Sequence, residues 1–350
     1  MSALARYVSW PRREERAARL PFPVPRLAGP AWLAWRRHRA VYRTTAGFAV
    51  LAALWALGEH HQLVSAVHHY ADVCRATPHR CDAGSGGTAP PTVTHLSPSV
   101  LRYLPLAVGA LVGAPLFAQD LESGTYRLAW TQSVGRREWA AVKLGVAAAV
   151  TTAAAVVLTV PVSWWWYSAW RGHNGGPDRS AWRAVVWWGD WDFFSWTGPV
   201  GVAHLLLALT TGAAAGVLVR RTLPAVALSA ALAEAVLFGL GKLRPHLLTP
   251  RLRRTRGLDF PSLPRDGWFQ GVGYVRADGS LTTSIPPCAG RDTHAFATCM
   301  RQQQIVGRYN RSFTMDQFVP LQLIETGICL AAAAALAAFC LWYLPRVTAR

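Results

Sequence analysis

TGPVGVAHLLLALTTGAAAGVLVRRTLPAVALSAALAEAVLFGLG, Thr197 to Gly241, is two apolar runs separated only by Arg220 and Arg221. A helix needs about 20 apolar residues to cross roughly 30 Å of hydrocarbon, and each run has that length. The two-arginine joint makes them a tight antiparallel hairpin. Four more runs meet the same requirement on either side: Thr44 to Gly58, which Val41 and Tyr42 extend, Ser99 to Ala118, Leu144 to Trp165 and Phe318 to Leu344. Pro105 and Pro115 fall in the second run, where neighbouring helices in a membrane accommodate them. Six spans define an all-α polytopic membrane protein. Composition agrees, since 52% of the 350 residues are hydrophobic and only 15% charged, with a net charge of +18. A disordered tail, a coiled coil or a soluble nucleic-acid binder would carry far more charge.

The first 43 residues are rich in Arg and Pro, and the first apolar run starts too late for a cleavable signal peptide. The N- and C-termini are therefore expected in the cytoplasm, with a long external loop between the fifth and sixth helices. Lys and Arg are about twice as dense in the pieces this places inside as in those outside, as the positive-inside rule requires. Against it stand Lys242, Arg244, Arg251, Arg253, Arg254 and Arg256 on the expected outside. They belong to a segment long enough to translocate regardless of charge. The resulting layout is a basic segment 1–43, helices one to five in 44–241 with an inner loop at 119–143, an external lobe at 242–317, and a last helix with a short tail at 318–350. Trp32 to Arg43 (WLAWRRHRAVYR) reads as a helix on the cytoplasmic membrane surface leading into the first span.

Cysteine supports this topology. Cys74, Cys81, Cys288 and Cys299 all fall in expected external segments, where disulfides persist. Pairing 74 with 81 and 288 with 299 is the simplest framework, although four cysteines admit three connectivities. Cys329 and Cys340 read as small packing residues of the last helix. The stretch Ser163 to Trp196 holds nine tryptophans, from Trp164 to Trp196, and reads as lying along the outer interface, with a short helix near Trp182 to Phe194. His60, His61, His68 and His69 read as a solvated helix, because no complete metal-ligand set surrounds them.

Charges inside the spans each need a partner or a cavity. His204, Glu234 and Glu325 each lie seven residues from an outer helix end, roughly 10 Å deep at 1.5 Å per residue. Arg102 begins the second run at the same face. The four are expected to form one polar layer inside the bundle, the alternative being that each snorkels or bonds locally. Gly109 and Gly113, and Gly212 and Gly216, are spaced for close helix contact.

The inner loop reads GAPLFAQDLESGTYRLAWTQSVGRREWAAVKLG, Gly113 to Gly145. It holds, in order, Glu122, one spacer, Gly124-Thr125, then Arg136 and Arg137, and Lys143 opening the next helix. This resembles the loop of ABC-2-type permeases, the membrane subunits of many bacterial ABC exporters. Gln132-Ser133-Val134 stands where many members have Pro before the Val. WLAWRRHR before the first helix and FVPLQLIETG, Phe318 to Gly327, resemble the same family, especially its actinobacterial branch.

The resemblance implies a multi-pass permease of the cell membrane that works as two membrane subunits, a homodimer or heterodimer, with a separate ABC ATP-binding subunit. Glu122, Gly124, Thr125, Arg136, Arg137 and Lys143 would form the loop that couples to it, with Tyr126, Trp130 and Trp139 as anchors. The chain has no phosphate-binding loop, so it needs no cofactor of its own, and ATP and Mg belong to the partner. HExxH and GxSxG spacings are absent too, so no catalytic or metal-binding residue is assigned. The alternative is a non-transporting membrane anchor or sensor that uses the external segment, a candidate small β-rich lobe, as its ligand or partner domain.

Overall fold

The computed structural model describes residues 30–76, 101–126, 135–175, 188–189, 191–257, 259, 261–262, 267–284, 288 and 293–347. Among the described residues six helices are long and apolar enough to cross a membrane. In chain order the elements are α1 Pro30–Ala76, α2 Leu104–Ser123, α3 Arg136–Gly175, the short α4 Trp191–Trp196, α5 Val200–Val219 and α6 Thr222–Leu243. The lobe follows, with β1 Arg251–Arg256, β2 Trp268–Arg276, β3 Leu281–Thr282, α7 Thr293–Gln302 and β4 Ile305–Phe313, and α8 Phe318–Val347 closes the fold.

The central helix is α5, with 78% of its span buried, while α1, α6 and α8 are largely peripheral. Its neighbours are α2, α3, α6 and α8, and α1 packs on the outside of α3. Leu51, Leu223, Phe238 and Leu323 stay exposed on the peripheral helices, surface that hydrocarbon covers at no cost. Close packing at the centre depends on missing side chains. A Cβ on Gly212 would lie 2.1 Å from the Gly109 carbonyl oxygen, and one on Gly113 would lie 2.4 Å from that of Leu209. Gly216 abuts the Ala114 carbonyl in the same way. The spacing read from the sequence is thus a real backbone-to-backbone contact of α2 with α5. Here α2 is π-helical over Val108–Gly113, between Pro105 and Pro115, whose missing N–H groups loosen the helical ladder.

One expectation about the ends of the spans needs correction. Trp32 to Arg43 is not a separate surface helix, because α1 is continuous through residue 43 and on to Ala76. No proline lies between Pro30 and Pro78, so nothing in the chain stops the helix at either membrane boundary. His38 and Tyr42 are buried on this stretch, and Trp35 packs on Tyr42 at 5.5 Å. The histidine-bearing stretch is the far end of the same helix, with His61, His68 and His69 exposed.

The tryptophans also depart from a purely interfacial role. Trp164 is exposed, but Trp166, Trp188 and Trp196 are buried. Trp166 stacks on Phe318 at 4.9 Å, and Trp188 and Phe194 meet the same ring edge-on. This aromatic cluster forms the floor on which the lobe stands. Trp182 and Trp187 lie outside the described residues.

The membrane part is helical as expected, and the segment 242–317 adds a four-stranded antiparallel sheet in the order β1-β4-β2-β3. Asn310 of the central strand β4 donates to the Pro261 carbonyl. A Cys288–Cys299 disulfide closes the α7 side over Met300 and Ile305. The other pairing, Cys74 with Cys81, lies outside the described residues.

Candidate coupling and intramembrane sites

At the end opposite the lobe, α2 terminates at Gly124, whose φ of +69° suits a residue without Cβ. One turn earlier Asp120 points inward and Glu122 outward, as a two-residue step on a helix requires. Asp120 is 2% exposed, and its carboxylate binds the Arg37 guanidinium of α1 at 2.5 Å and the Lys143 ammonium of α3. Thr125 donates to the same carboxylate at 3.2 Å and accepts from Arg37 at 3.0 Å. Lys143 also donates to the Leu116 carbonyl at 2.6 Å and lies 4.9 Å from the Trp139 ring centre. A buried ammonium without these partners would be costly, and with them it pins α3 to α2.

Glu122 remains at the surface and reaches the next hairpin. Its Oε2 accepts from the Thr222 amide at 2.8 Å and from the Thr222 hydroxyl at 2.6 Å. Thr222 opens α6, and Arg221 before it supplies no side-chain cap. Glu122 is therefore a cap delivered from another helix, its negative charge placed at the positive end of the α6 dipole.

The structure divides the residues grouped by resemblance. Glu122, Thr125 and Lys143 join α1, α2, α3 and α6, with Lys143 an interior residue, not a surface one. Arg136 and Arg137 are exposed on the first turn of α3. Residues 127–134, including Trp130, lie outside the described residues.

The single polar layer is not formed. His204 and Glu325 meet at 3.0 Å, fully buried between α5 and α8. The third member of that group is Arg244, just beyond α6. Its Nε and Nη2 donate to the two Glu325 oxygens at 2.7 and 2.8 Å, and Nη2 reaches the Ser195 hydroxyl at 3.3 Å. The Phe194 ring lies 3.8 Å from the guanidinium carbon. Arg102 and Glu234 pair elsewhere, at 3.4 Å, with side chains 46% and 40% exposed.

Helix phase explains the split. Ala225, Ser229, Ala233, Leu237 and Leu240 form the buried stripe of α6, and Arg244 extends it by one more four-residue step. Glu234 is one residue off the stripe, about 100° around the helix. Depth alone grouped Glu234 with His204, whereas phase selects Arg244. Among the described residues no group of His, Cys, Asp and Glu has the geometry of a metal site.

The sequence model of a family described as ABC-2 membrane transporter related matches residues 45–244. No curated protein and no solved structure matches the chain.

Proposed function

The chain belongs to the ABC-2 membrane transporter related family, and from that premise we propose that it is the permease subunit of an exporter whose ATP is bound and hydrolysed, with Mg, by a separate subunit. It works in the cell membrane as one of two permease copies, each contributing six spans to the pathway. The segment 119–143 receives the partner on the cytoplasmic side, and export follows from movement passed through it to the bundle.

The observation that carries this reading is the double attachment of that segment. Glu122 caps α6, while Asp120 holds α1 through Arg37 and α3 through Lys143. A displacement of the end of α2 is thereby felt by four spans together. Exposed Arg136 and Arg137 give the far side of the segment a positive face, suited to an acidic partner surface. Below the lobe, Arg244, Glu325 and His204 hold α5, α6 and α8 as one body against which the other helices move.

Co-purification from native membranes tests the proposal, with ATP hydrolysis as the readout. An ATP-binding subunit should accompany the chain. Glu122→Ala and Arg136→Gln should lower the permease-dependent part of hydrolysis roughly tenfold, within the usual 1–3 kcal/mol of coupling between sites. If no ATPase accompanies the chain and neither replacement alters hydrolysis, the coupling reading fails. The anchor or sensor reading, with the lobe as partner domain, then stands instead.

A further inference from the structure

A groove of about 210 Å³ opens at the lobe end between the start of α2 and the last turns of α6, lined by Arg102, Glu234, Leu237, Phe238, Gly241 and Lys242. Glu234, Phe238 and Lys242 follow one another at four-residue steps along one face of α6. The Lys242 ammonium lies 5.4 Å from the Phe238 ring centre. No ion pair joins Lys242 to the described residues. Arg102 contacts Glu234 through one nitrogen at 3.4 Å, which leaves most of its five N–H donors unused by that pair. Two cations thus face one carboxylate, and the groove is positive.

Its depth matters as much as its charge. Arg102 stands just before the span that begins at Leu104 and reaches down to Glu234, while Lys242, near the end of the span that closes at His246, lies at headgroup level. Phe238, 60% exposed, lies on the hydrocarbon side of Lys242. Lys242 above Phe238 and Arg102 beside Glu234 flank an apolar face, which matches an amphiphile with a phosphate head. We propose that this groove binds the phosphodiester headgroup of an anionic phospholipid from the surrounding leaflet. The phosphate sits between Arg102 and Lys242, and an acyl chain lies along Phe238 and Leu237. Glu234 competes with the phosphate for Arg102, so it sets the affinity from below.

The test uses the full chain reconstituted in equimolar phosphatidylcholine and phosphatidylglycerol, extracted mildly, with retained lipid counted by native mass spectrometry. Phosphatidylglycerol should be retained in preference. Lys242→Gln and Arg102→Gln should each lower that preference about fivefold, the ratio for one basic residue at an anionic surface. Lys242→Arg should keep it, and Glu234→Gln should raise it. A cation that merely snorkels predicts no gain from Glu234→Gln. If Arg102→Gln fails to fold, the Lys242 and Glu234 variants still decide the matter. A parallel arm adds glycerol phosphate, and full displacement of the lipid by it would show a site for free phosphate and overturn the lipid assignment. Equal retention of the two lipids, or unchanged retention in Lys242→Gln, would overturn the site itself.

Discussion

Replacing Asp120 and replacing Lys143 break the same contact, yet the costs differ. Asp120→Asn leaves the Lys143 ammonium, 4% exposed, with neutral acceptors, the Leu116 carbonyl and the introduced amide oxygen, in place of a carboxylate, and with Arg37 as a nearby like charge. An uncompensated buried charge of this kind costs about 3–5 kcal/mol. Lys143→Met leaves Asp120 still bound by Arg37 and Thr125, so the loss is that of a charge-assisted hydrogen bond, about 1.5–3 kcal/mol. Melting of the detergent-solubilised protein should therefore fall further for Asp120→Asn, and the reverse order would show that Asp120 is not the hub. The sequence marks Lys143 and Glu122 by type and position but passes over Asp120, which looks like one more charge of a loop. The signal was available in the spacing, since Gly113, Leu116 and Asp120 share one buried stripe of α2. Arg244 escapes notice for a parallel reason: residue type groups it with the basic run around it, whereas helix phase places it with the buried stripe from Ala225 to Leu240 before it.

At the scale of elements, the α2–α5 contact decides how tightly the bundle closes. Gly212→Ala would drive a methyl to 2.1 Å from the Gly109 carbonyl, and backbone cannot yield as a side-chain tip can. The expected cost is about 1–3 kcal/mol of overpacking. Gly239→Ala is the matched control, for nothing lies within 4 Å of its added Cβ, and its effect should stay within about 1 kcal/mol. Thermal unfolding of the two variants separates them, and equal melting would remove the glycine contact as a determinant. The six spans were legible because apolar length is a local property. Helix ends were not, because hydropathy registers where the membrane stops while α1 continues to Ala76 through a stretch that has no proline after Pro30. Tryptophan placement failed for a different reason: indole favours both interface and core, and the ring that buries Trp166 is Phe318, far along the chain.

The whole molecule is a helical bundle carrying a sheet on two stalks, the end of α6 and the start of α8, which Arg244 and Glu325 clasp together beneath it. The sheet was hard to read because β1 pairs with β4, some fifty residues on, and the glycines at 271 and 273 interrupt the alternation of β2. Its orientation relative to the membrane turns on two opposing charge signals. The basic run through β1 argues for an inner lobe, whereas the density of Lys and Arg in 1–43, 119–143 and 220–221 argues for an outer one. Short loops orient spans and long ones follow, so the second signal should win. The Cys288–Cys299 disulfide agrees, since such bonds persist in an oxidising compartment. With Cys74 and Cys81 changed to Ser, a membrane-impermeant maleimide should label Asp278→Cys, in an exposed turn of the lobe, on intact cells. Arg137→Cys, exposed at the opposite end, should be labelled only after the membrane is opened. Labelling in the reverse pattern would place the lobe in the cytoplasm and the segment 119–143 outside, out of reach of any ATP-binding partner, and the coupling proposal would fall with the topology.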